Sequence, residues 1–223
     1  MVFFKNKEFM PIFKKMRPTN LHNKTVFIEL EFEEFYTYKN LYNEFNQTYK
    51  LDQNPNIANV PLYIVWAEKC MFVKKAIEKN YFNSKCFYWV DAGYFRESEK
   101  EFERYINNWP STKKCFEDDR LIMGQVKDFT EDEKQKIVNF DKNALQSLKT
   151  KTNVAGGFFG GQIKNSLKFV DLYYDTIKLF FKKNIFFGQD QHVFTYMAFA
   201  HPEIMKLIRI KEYLYFRFIL YYK

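Results

Sequence analysis

Hydrophobic and polar residues follow one another along this chain in a pattern that is typical of an α/β protein. The clearest predicted helix is 62–79, where apolar residues recur at helical spacing. Aromatic and β-branched residues predict strands at 25–30, 85–90 and 120–126, and residues 2–4 resemble the end of another strand. Because strands alternate with helices, we expect an α/β fold with a mostly parallel sheet flanked by helices.

The remaining helices are predicted from shorter periodic segments and from capping residues. Thr130 begins one of them, because Glu133 follows three residues later and completes a capping box. The others are expected at 7–16, 33–46, 97–108, 163–183 and 189–200.

Length and charge limit the class of protein. The 223 residues suffice for a single domain over 1–223, and 47% hydrophobic with 28% charged residues is a globular composition. The net charge of +8 could attract nucleic acid, an anionic membrane face or a phosphorylated ligand. The lysines are scattered in pairs and form no block of five or six, which favours a solvated surface over a nucleic-acid-binding stripe.

The cysteines bear on the compartment. Cys70, Cys86 and Cys115 are odd in number and lack CxxC spacing, so we expect neither a disulfide framework nor a zinc site. A reducing, cytoplasmic location fits this pattern. The sequence shows no signal peptide and no apolar run of 18 residues. The apolar stretch 213–222 needs covering, and peripheral association with a membrane surface is one way to cover it.

Asp91 is the first candidate for chemistry. It ends the hydrophobic run 87–90, and Gly93 follows two places later. A buried strand that delivers a carboxylate at its carboxyl end can present it to a phosphate or a metal. The alternative is a strand that enters an ordinary turn, because Asp and Gly are common turn residues.

A glycine-rich segment is the second candidate. Four of the seven glycines lie in the pairs Gly156-Gly157 and Gly160-Gly161. Glycine lets a backbone approach a ligand closely, and the helix that follows could add positive potential from its first N–H groups. The spacing matches neither a Walker A loop nor a dinucleotide-binding turn. A turn between strand and helix is the alternative.

Three more side chains have both a functional and a purely structural interpretation. Asp190, at the start of a helix, is either a first-turn carboxylate or a catalytic group. Lys69, which cannot share a helix face with its neighbour Glu68, is either a surface lysine or a phosphate contact. His192 is the best metal-ligand candidate among three histidines that form no local motif.

In four blocks the chain resembles the HtrL/YibB family. The blocks occur in the expected order and span most of residues 62–205: Trp66–Ile77, Phe87–Arg96, Ala155–Gly161 and Phe187–Gln191. That family is in turn similar to nucleotide-sugar glycosyltransferases of the GT-A fold. The resemblance therefore implies a single GT-A-like, Rossmann-like domain.

The resemblance also implies roles for individual residues. GT-A enzymes bind a divalent metal and the donor diphosphate through an Asp-x-Asp pair. Asp91 matches the first Asp, but Gly93 stands in the second position. The implied cofactor is a divalent cation, Mn²⁺ or Mg²⁺, held by Asp91, and His192 is our candidate from the sequence for a further ligand.

The donor sugar and nucleotide have implied contacts as well. By their order in the chain, Asn153, Gly156 and Gly157 correspond to the donor-binding segment. The pair Asp190-Gln191 corresponds to the catalytic residues near the anomeric carbon, and Lys69 to a basic residue that contacts the nucleotide.

These expectations lead to one leading function and three rivals. The leading function is a glycosyltransferase that transfers a hexose from a nucleotide diphosphate sugar to a glycan or lipid-linked acceptor. Family members carry a strand before the equivalent of Val2–Phe4 that holds the base, and we expect it to be missing here. This departure favours a catalytically inactive nucleotide-sugar or glycan-binding domain as the first rival. The others are a basic nucleic-acid-binding protein and a purely structural domain.

Overall fold

In the part of the chain that the structure describes, six strands form two sheets. The computed structural model describes residues 1–52, 55–94, 114–148 and 153–210. The strands are β1 (Val2–Lys5), β2 (Val26–Glu29), β3 (Cys86–Val90), β4 (Leu121–Gln125), β5 (Val154–Gln162) and β6 (Met205–Arg209).

Eight α-helices lie within the described ranges. They are α1 (Met10–Met16), α2 (Tyr36–Thr48), α3 (Val60–Lys79), α4 (Lys114–Glu117), α5 (Glu131–Val138), α6 (Lys142–Ser147), α7 (Ile163–Lys182) and α8 (Asp190–Ala200). The expected helices around α1, α2, α3, α5, α7 and α8 are confirmed, and so is the capping box in which Thr130 and Glu133 bond each other's backbone. The predicted helix 97–108 and the apolar stretch 213–222 lie outside the described residues.

The larger sheet is mixed, so the expectation of a mostly parallel sheet is wrong for it. Its strand order is β3-β5-β4-β6, and β5 runs antiparallel to both of its neighbours. Only β4 and β6 pair in parallel there, while β1 and β2 form a separate parallel pair. Consequently β3, β4 and β6 all end at the same edge of the sheet, where β5 begins.

The glycine-rich segment is the central strand of this sheet and not a turn. β5 spans Val154–Gln162 and is buried almost throughout. Its glycines allow neighbouring strands to approach, because a Cβ on Gly160 would overlap the backbone of Phe87 and Tyr88. Glycine is common in turns, so the local sequence indicated a turn as the alternative. Close packing against neighbouring backbones explains the extended conformation of the segment here.

The core lies mainly on one face of the larger sheet. Successive side chains of β5 point to opposite faces, so Phe159 enters the large core while Phe158 joins a smaller cluster. Helices α3, α7 and α8 pack on the face of Phe159, and α2 packs on α3. The long helix α3 therefore buries residues on several sides, including the charged pair Glu68 and Lys69.

Two of the three cysteines are joined, which corrects the expectation of unpaired thiols. Cys86 forms a disulfide with Cys115, and Cys70 is a free, buried thiol. Sequence spacing missed the pair because the two residues meet only through the fold. The argument from cysteine usage for a reducing compartment therefore loses its basis. No helix within the described ranges is long and apolar enough to cross a membrane.

Candidate functional site

A distortion of β5 shapes the end of β3. Where β4 takes a single step from Met123 to Gly124, β5 passes from Phe159 to Ala155 and leaves residues 156–158 without a β4 partner. Such a bulge bends a strand and redirects its groups, and bulges are frequent beside functional sites. Residues 156 and 157 lie beside the carboxyl end of β3, because the pairing of β3 with β5 continues there.

Asp91 lies at this end of β3, as predicted. Its backbone N–H donates to the carbonyl of Gly157 at 2.9 Å, and its own carbonyl accepts from the N–H of Tyr94. The indole Nε1 of Trp89 donates to its Oδ1 at 2.6 Å. The Asp91 side chain remains 36% exposed, so it is fixed in orientation and still accessible to solvent.

Lys69 brings Asp91 and Asp190 together. Its ammonium nitrogen lies 3.1 Å from Oδ1 of Asp91 and 3.1 Å from Oδ2 of Asp190. It also donates to the carbonyl of Gly156 at 3.3 Å. The ammonium donates hydrogen bonds to Asp91 and Gly156, whereas Asp190 is an ion-pair partner whose buried Oδ2 has no hydrogen bond. Residues predicted separately as site candidates thus form one ionic cluster, which we call the Lys69 cluster: Lys69, Asp91, Asp190 and Gly156.

Burial and charge shift the pKa values of the cluster in ways that can be traced. Burial acts to lower the pKa of Lys69, but the carboxylates of Asp190 and Asp91 outweigh it and leave that pKa raised. Burial raises the pKa of Asp190, with a smaller contribution from Asp91, and Lys69 offsets only part of this rise. Lys69 is therefore firmly protonated, while Asp190 holds a proton more readily than an exposed aspartate.

Neighbouring positions on α3 explain why two charges are buried side by side. Consecutive helix residues point about 100° apart, so Glu68 and Lys69 face different elements. Glu68 turns towards α2, where its carboxylate accepts the N–H groups of Tyr36 at 3.0 Å and Thr37 at 2.9 Å. Lys69 turns towards the end of β3. The interpretation of Lys69 as a surface lysine is wrong, because its side chain is 8% exposed.

The structure explains why residue 156 is a glycine, which the sequence alone did not. A Cβ at this position would lie 2.7 Å from Oδ2 of Asp190 and 3.1 Å from its carboxyl carbon. The absence of a side chain therefore makes room for the Asp190 carboxylate. Whether Gly156 and Gly157 also contact a donor sugar stays a prediction.

Asn153 and Gln191 have structural partners of their own. The side-chain amide of Asn153 donates to the backbone carbonyl of Leu148 at 2.8 Å, and the backbone carbonyl of Asn153 accepts from the N–H of Val126. It lies three residues before Gly156, about 10 Å along an extended strand. Gln191 is half-buried on α8, and its carbonyl accepts from Thr195. Their predicted contacts with a sugar stay predictions.

The side chains present do not fit the implied divalent cation. The described residues contain no group of three or more His, Cys, Asp or Glu side chains that could hold a metal ion. A positive ammonium already occupies the space between Asp91 and Asp190 and would repel a second cation. His192 is buried on α8, where its ring packs edge-on against Phe186 at 5.8 Å.

Trp89 and Glu68 are the contributors that sequence reasoning missed. The sequence could have predicted the contact of Trp89 with Asp91. Residues two apart on a strand share a face, and Asp91 is two places after Trp89. Trp89 in turn stacks on Phe72 of α3, with ring centroids 5.8 Å apart. The capping role of Glu68 had no local signal, since its two partners lie more than 30 residues away.

A cavity of about 360 Å³ lies elsewhere, between α5, α6 and the segment after β4. None of the predicted site residues lines it. Three of its four charged side chains form ion pairs, because Lys127 lies 2.9 Å from Glu133 and Lys136 contacts Asp132, while Asp141 accepts from the N–H of Ala144. Such surface pairs are ordinary, and they also show basic side chains neutralised locally, which argues against a nucleic-acid-binding stripe on this face.

Comparison with known proteins identifies a family. The model of a family described as "Bacterial protein of unknown function (HtrL_YibB)" matches residues 1–220. No curated protein and no solved structure matches the chain.

Proposed function

The chain belongs to the HtrL_YibB family, and we propose that it is a glycosyltransferase that transfers a hexose from a nucleotide diphosphate sugar. The acceptor would be a glycan or a lipid-linked sugar. One observation supports the proposal above all others. Three charged residues from separate segments, Lys69, Asp91 and Asp190, share a single ionic cluster at the end of a buried strand.

The chemistry of sugar transfer suits an oriented carboxylate at this point. The bond between the anomeric carbon and the diphosphate oxygen breaks, and a bond from that carbon to the acceptor oxygen forms. The departing nucleoside diphosphate keeps the electron pair of the broken bond, and the proton of the acceptor hydroxyl passes to it or to water. Positive charge develops on the sugar ring, so a nearby carboxylate stabilises the transition state more than the ground state.

Asp91 is the carboxylate that a substrate would meet first. Its side chain is 36% exposed, whereas that of Asp190 is 5% exposed. Trp89 and Lys69 fix the orientation of Asp91, which is the kind of preorganisation that catalysis requires. Asp190 and Lys69 then act as positioning residues behind it, and Gly156 gives them room.

Turnover is the test of this proposal. Release of nucleoside diphosphate from a panel of sugar nucleotides, with glycan and lipid-linked acceptors, would identify the donor. We expect Asp91→Asn to lower the rate at least about a hundredfold while the chain stays folded. Asp171→Asn is the matched control, because Asp171 is an exposed aspartate paired with Lys74 at 2.9 Å. Equal rates for the two variants would rule out Asp91 as a catalytic residue.

A binding domain without turnover is the second candidate. In the Lys69 cluster one ammonium faces both carboxylates, and Asp190 is almost fully buried. This arrangement suits a site that recognises sugar hydroxyls without reacting. It predicts that a sugar nucleotide or glycan raises the melting temperature, with the shift lost in Asp91→Asn, while no nucleoside diphosphate is released.

A further inference from the structure

We propose that Lys69 is the resident cation of this site and takes the place that a divalent metal ion would otherwise occupy. The inference depends on the proposed function in one respect: it assumes that this site transfers a sugar and therefore needs a cation. In this assignment Asp91 and Asp190 bind the ammonium group that α3 supplies, so the site needs no metal ion.

The geometry supports this assignment directly. The ammonium is equidistant from one oxygen of each carboxylate, at 3.1 Å, and the carbonyl of Gly156 completes its surroundings at 3.3 Å. Two carboxylates and a carbonyl are also oxygen donors of the kind that Mg²⁺ or Mn²⁺ takes. The same three groups would suit a metal if the ammonium were absent, after each moved inward by about 1 Å.

Because both are positively charged, the Lys69 ammonium and a divalent metal ion cannot occupy the site together. With Lys69 in place, an incoming divalent ion would lie within a few ångströms of a fixed positive charge in a mostly buried setting, where repulsion is strong. The side chain of Lys69 is 8% exposed and packed within the core, so it cannot swing out to make room. The cluster therefore excludes metal as long as the lysine is present.

Removal of the ammonium should convert the cluster into a metal site. Lys69→Met retains an apolar stem of similar length and leaves two carboxylates facing each other without a counter-charge. Such a pair either takes up a proton or binds a cation. Lys74→Met is the matched control, since Lys74 lies on the same helix but pairs with Asp171 at the surface.

The test is the equilibrium binding of Mn²⁺, followed by the paramagnetic resonance signal of the free ion in the absence of any sugar nucleotide. We expect the wild-type chain and Lys74→Met to bind Mn²⁺ equally weakly. Lys69→Met should bind one additional Mn²⁺ per chain, at least tenfold more tightly. The gain should disappear in the double variant Lys69→Met/Asp91→Asn. The titration is repeated at increasing pH so that proton uptake by the two carboxylates cannot mask the site, and no gain in folded Lys69→Met at any pH would overturn the proposal.

A second comparison keeps the proposal testable if Lys69→Met does not fold. Wild type and Asp91→Asn are then titrated with Mn²⁺ alone. Equal, weak binding supports the proposal, whereas tight binding by wild type that Asp91→Asn abolishes overturns it. Because no sugar is present, this outcome is independent of turnover. A chain without transferase activity would reject the proposed function and leave the assignment of Lys69 intact.

Discussion

Gly156 faces Asp190 so closely that a single methyl group at position 156 would lie 2.7 Å from the Asp190 Oδ2 atom. The carboxylate is short, buried and held by Lys69, so it cannot yield as the end of a long, flexible side chain would. The identity of one residue in a central strand therefore determines where a charged group on another element can lie.

Gly156→Ala should displace the Asp190 carboxylate from Lys69. We expect a loss of about 1–3 kcal/mol in the free energy of unfolding from overpacking, together with loss of ligand binding or turnover. Gly93→Ala is the control, because a Cβ at position 93 meets nothing within 4 Å. Chemical denaturation of both variants provides the measurement, and equal stabilities would show that the bulge relaxes freely.

Glu68→Ala should weaken the junction of α2 and α3. The Glu68 carboxylate is the acceptor for two backbone N–H groups at the start of α2, and its removal leaves both without that partner in a buried setting. We expect a loss of about 2–4 kcal/mol in the free energy of unfolding. Glu78→Ala, an exposed position on the same helix, should change it by less than about 0.5 kcal/mol. A similar effect of both substitutions would contradict the capping role.

Asp190 should make the stability depend on pH. Its pKa is raised in the folded chain by burial, whereas an unfolded aspartate titrates near 4. As pH rises from about 4 towards the raised pKa, the unfolded chain releases this proton first, so the free energy of unfolding falls. Asp190→Asn cannot titrate and lacks this component.

Denaturant titrations of wild type and Asp190→Asn between about pH 4 and pH 7 measure this component. The stability of wild type relative to the variant should decrease as pH rises. If the stability of wild type relative to the variant increases with pH instead, Lys69 lowers the pKa of Asp190 in the folded chain. The direction that we assign to this pKa shift would then be wrong. Asp171→Asn again serves as the exposed reference.

Reduction of the disulfide should destabilise the chain measurably. Cys86 begins β3, the strand that leads to Asp91, and its partner Cys115 is 29 residues away. A loop of that length corresponds to roughly 3–4 kcal/mol of chain entropy in the unfolded state. We expect a thiol reductant to lower the melting temperature of wild type but not of Cys115→Ser. If the reductant has no effect on wild type, the two cysteines are not paired in solution.

Elements with a strong local signal could be predicted from the sequence. The apolar spacing of α3 and the capping box of Thr130 depend on residues within one or two turns, and both appear where expected. The candidates Asp91 and Asp190 could be named because each is a charged residue at the end of an element, and Lys69 because it lies on the helix that precedes the Asp91 strand.

What could not be predicted depends on contacts between distant segments. The direction of β5 follows from its position between β3 and β4, and its glycines gave a turn signal that tertiary packing overrides. The burial of Lys69 requires partners 22 and 87 residues away. The pairing of Cys86 with Cys115 likewise arises only when β3 and α4 meet.

The position of β5 between strands that precede it in the chain has a consequence for folding kinetics. The Lys69 cluster can close only after β5 has joined β3 across a long loop, because Gly156 is separated from Lys69 by 87 residues. We expect contacts of such high sequence separation to form after the transition state, where they would act on the unfolding rate rather than on the folding rate. On this expectation, the charged residues of the candidate site determine how long the native state persists and not how quickly it is reached.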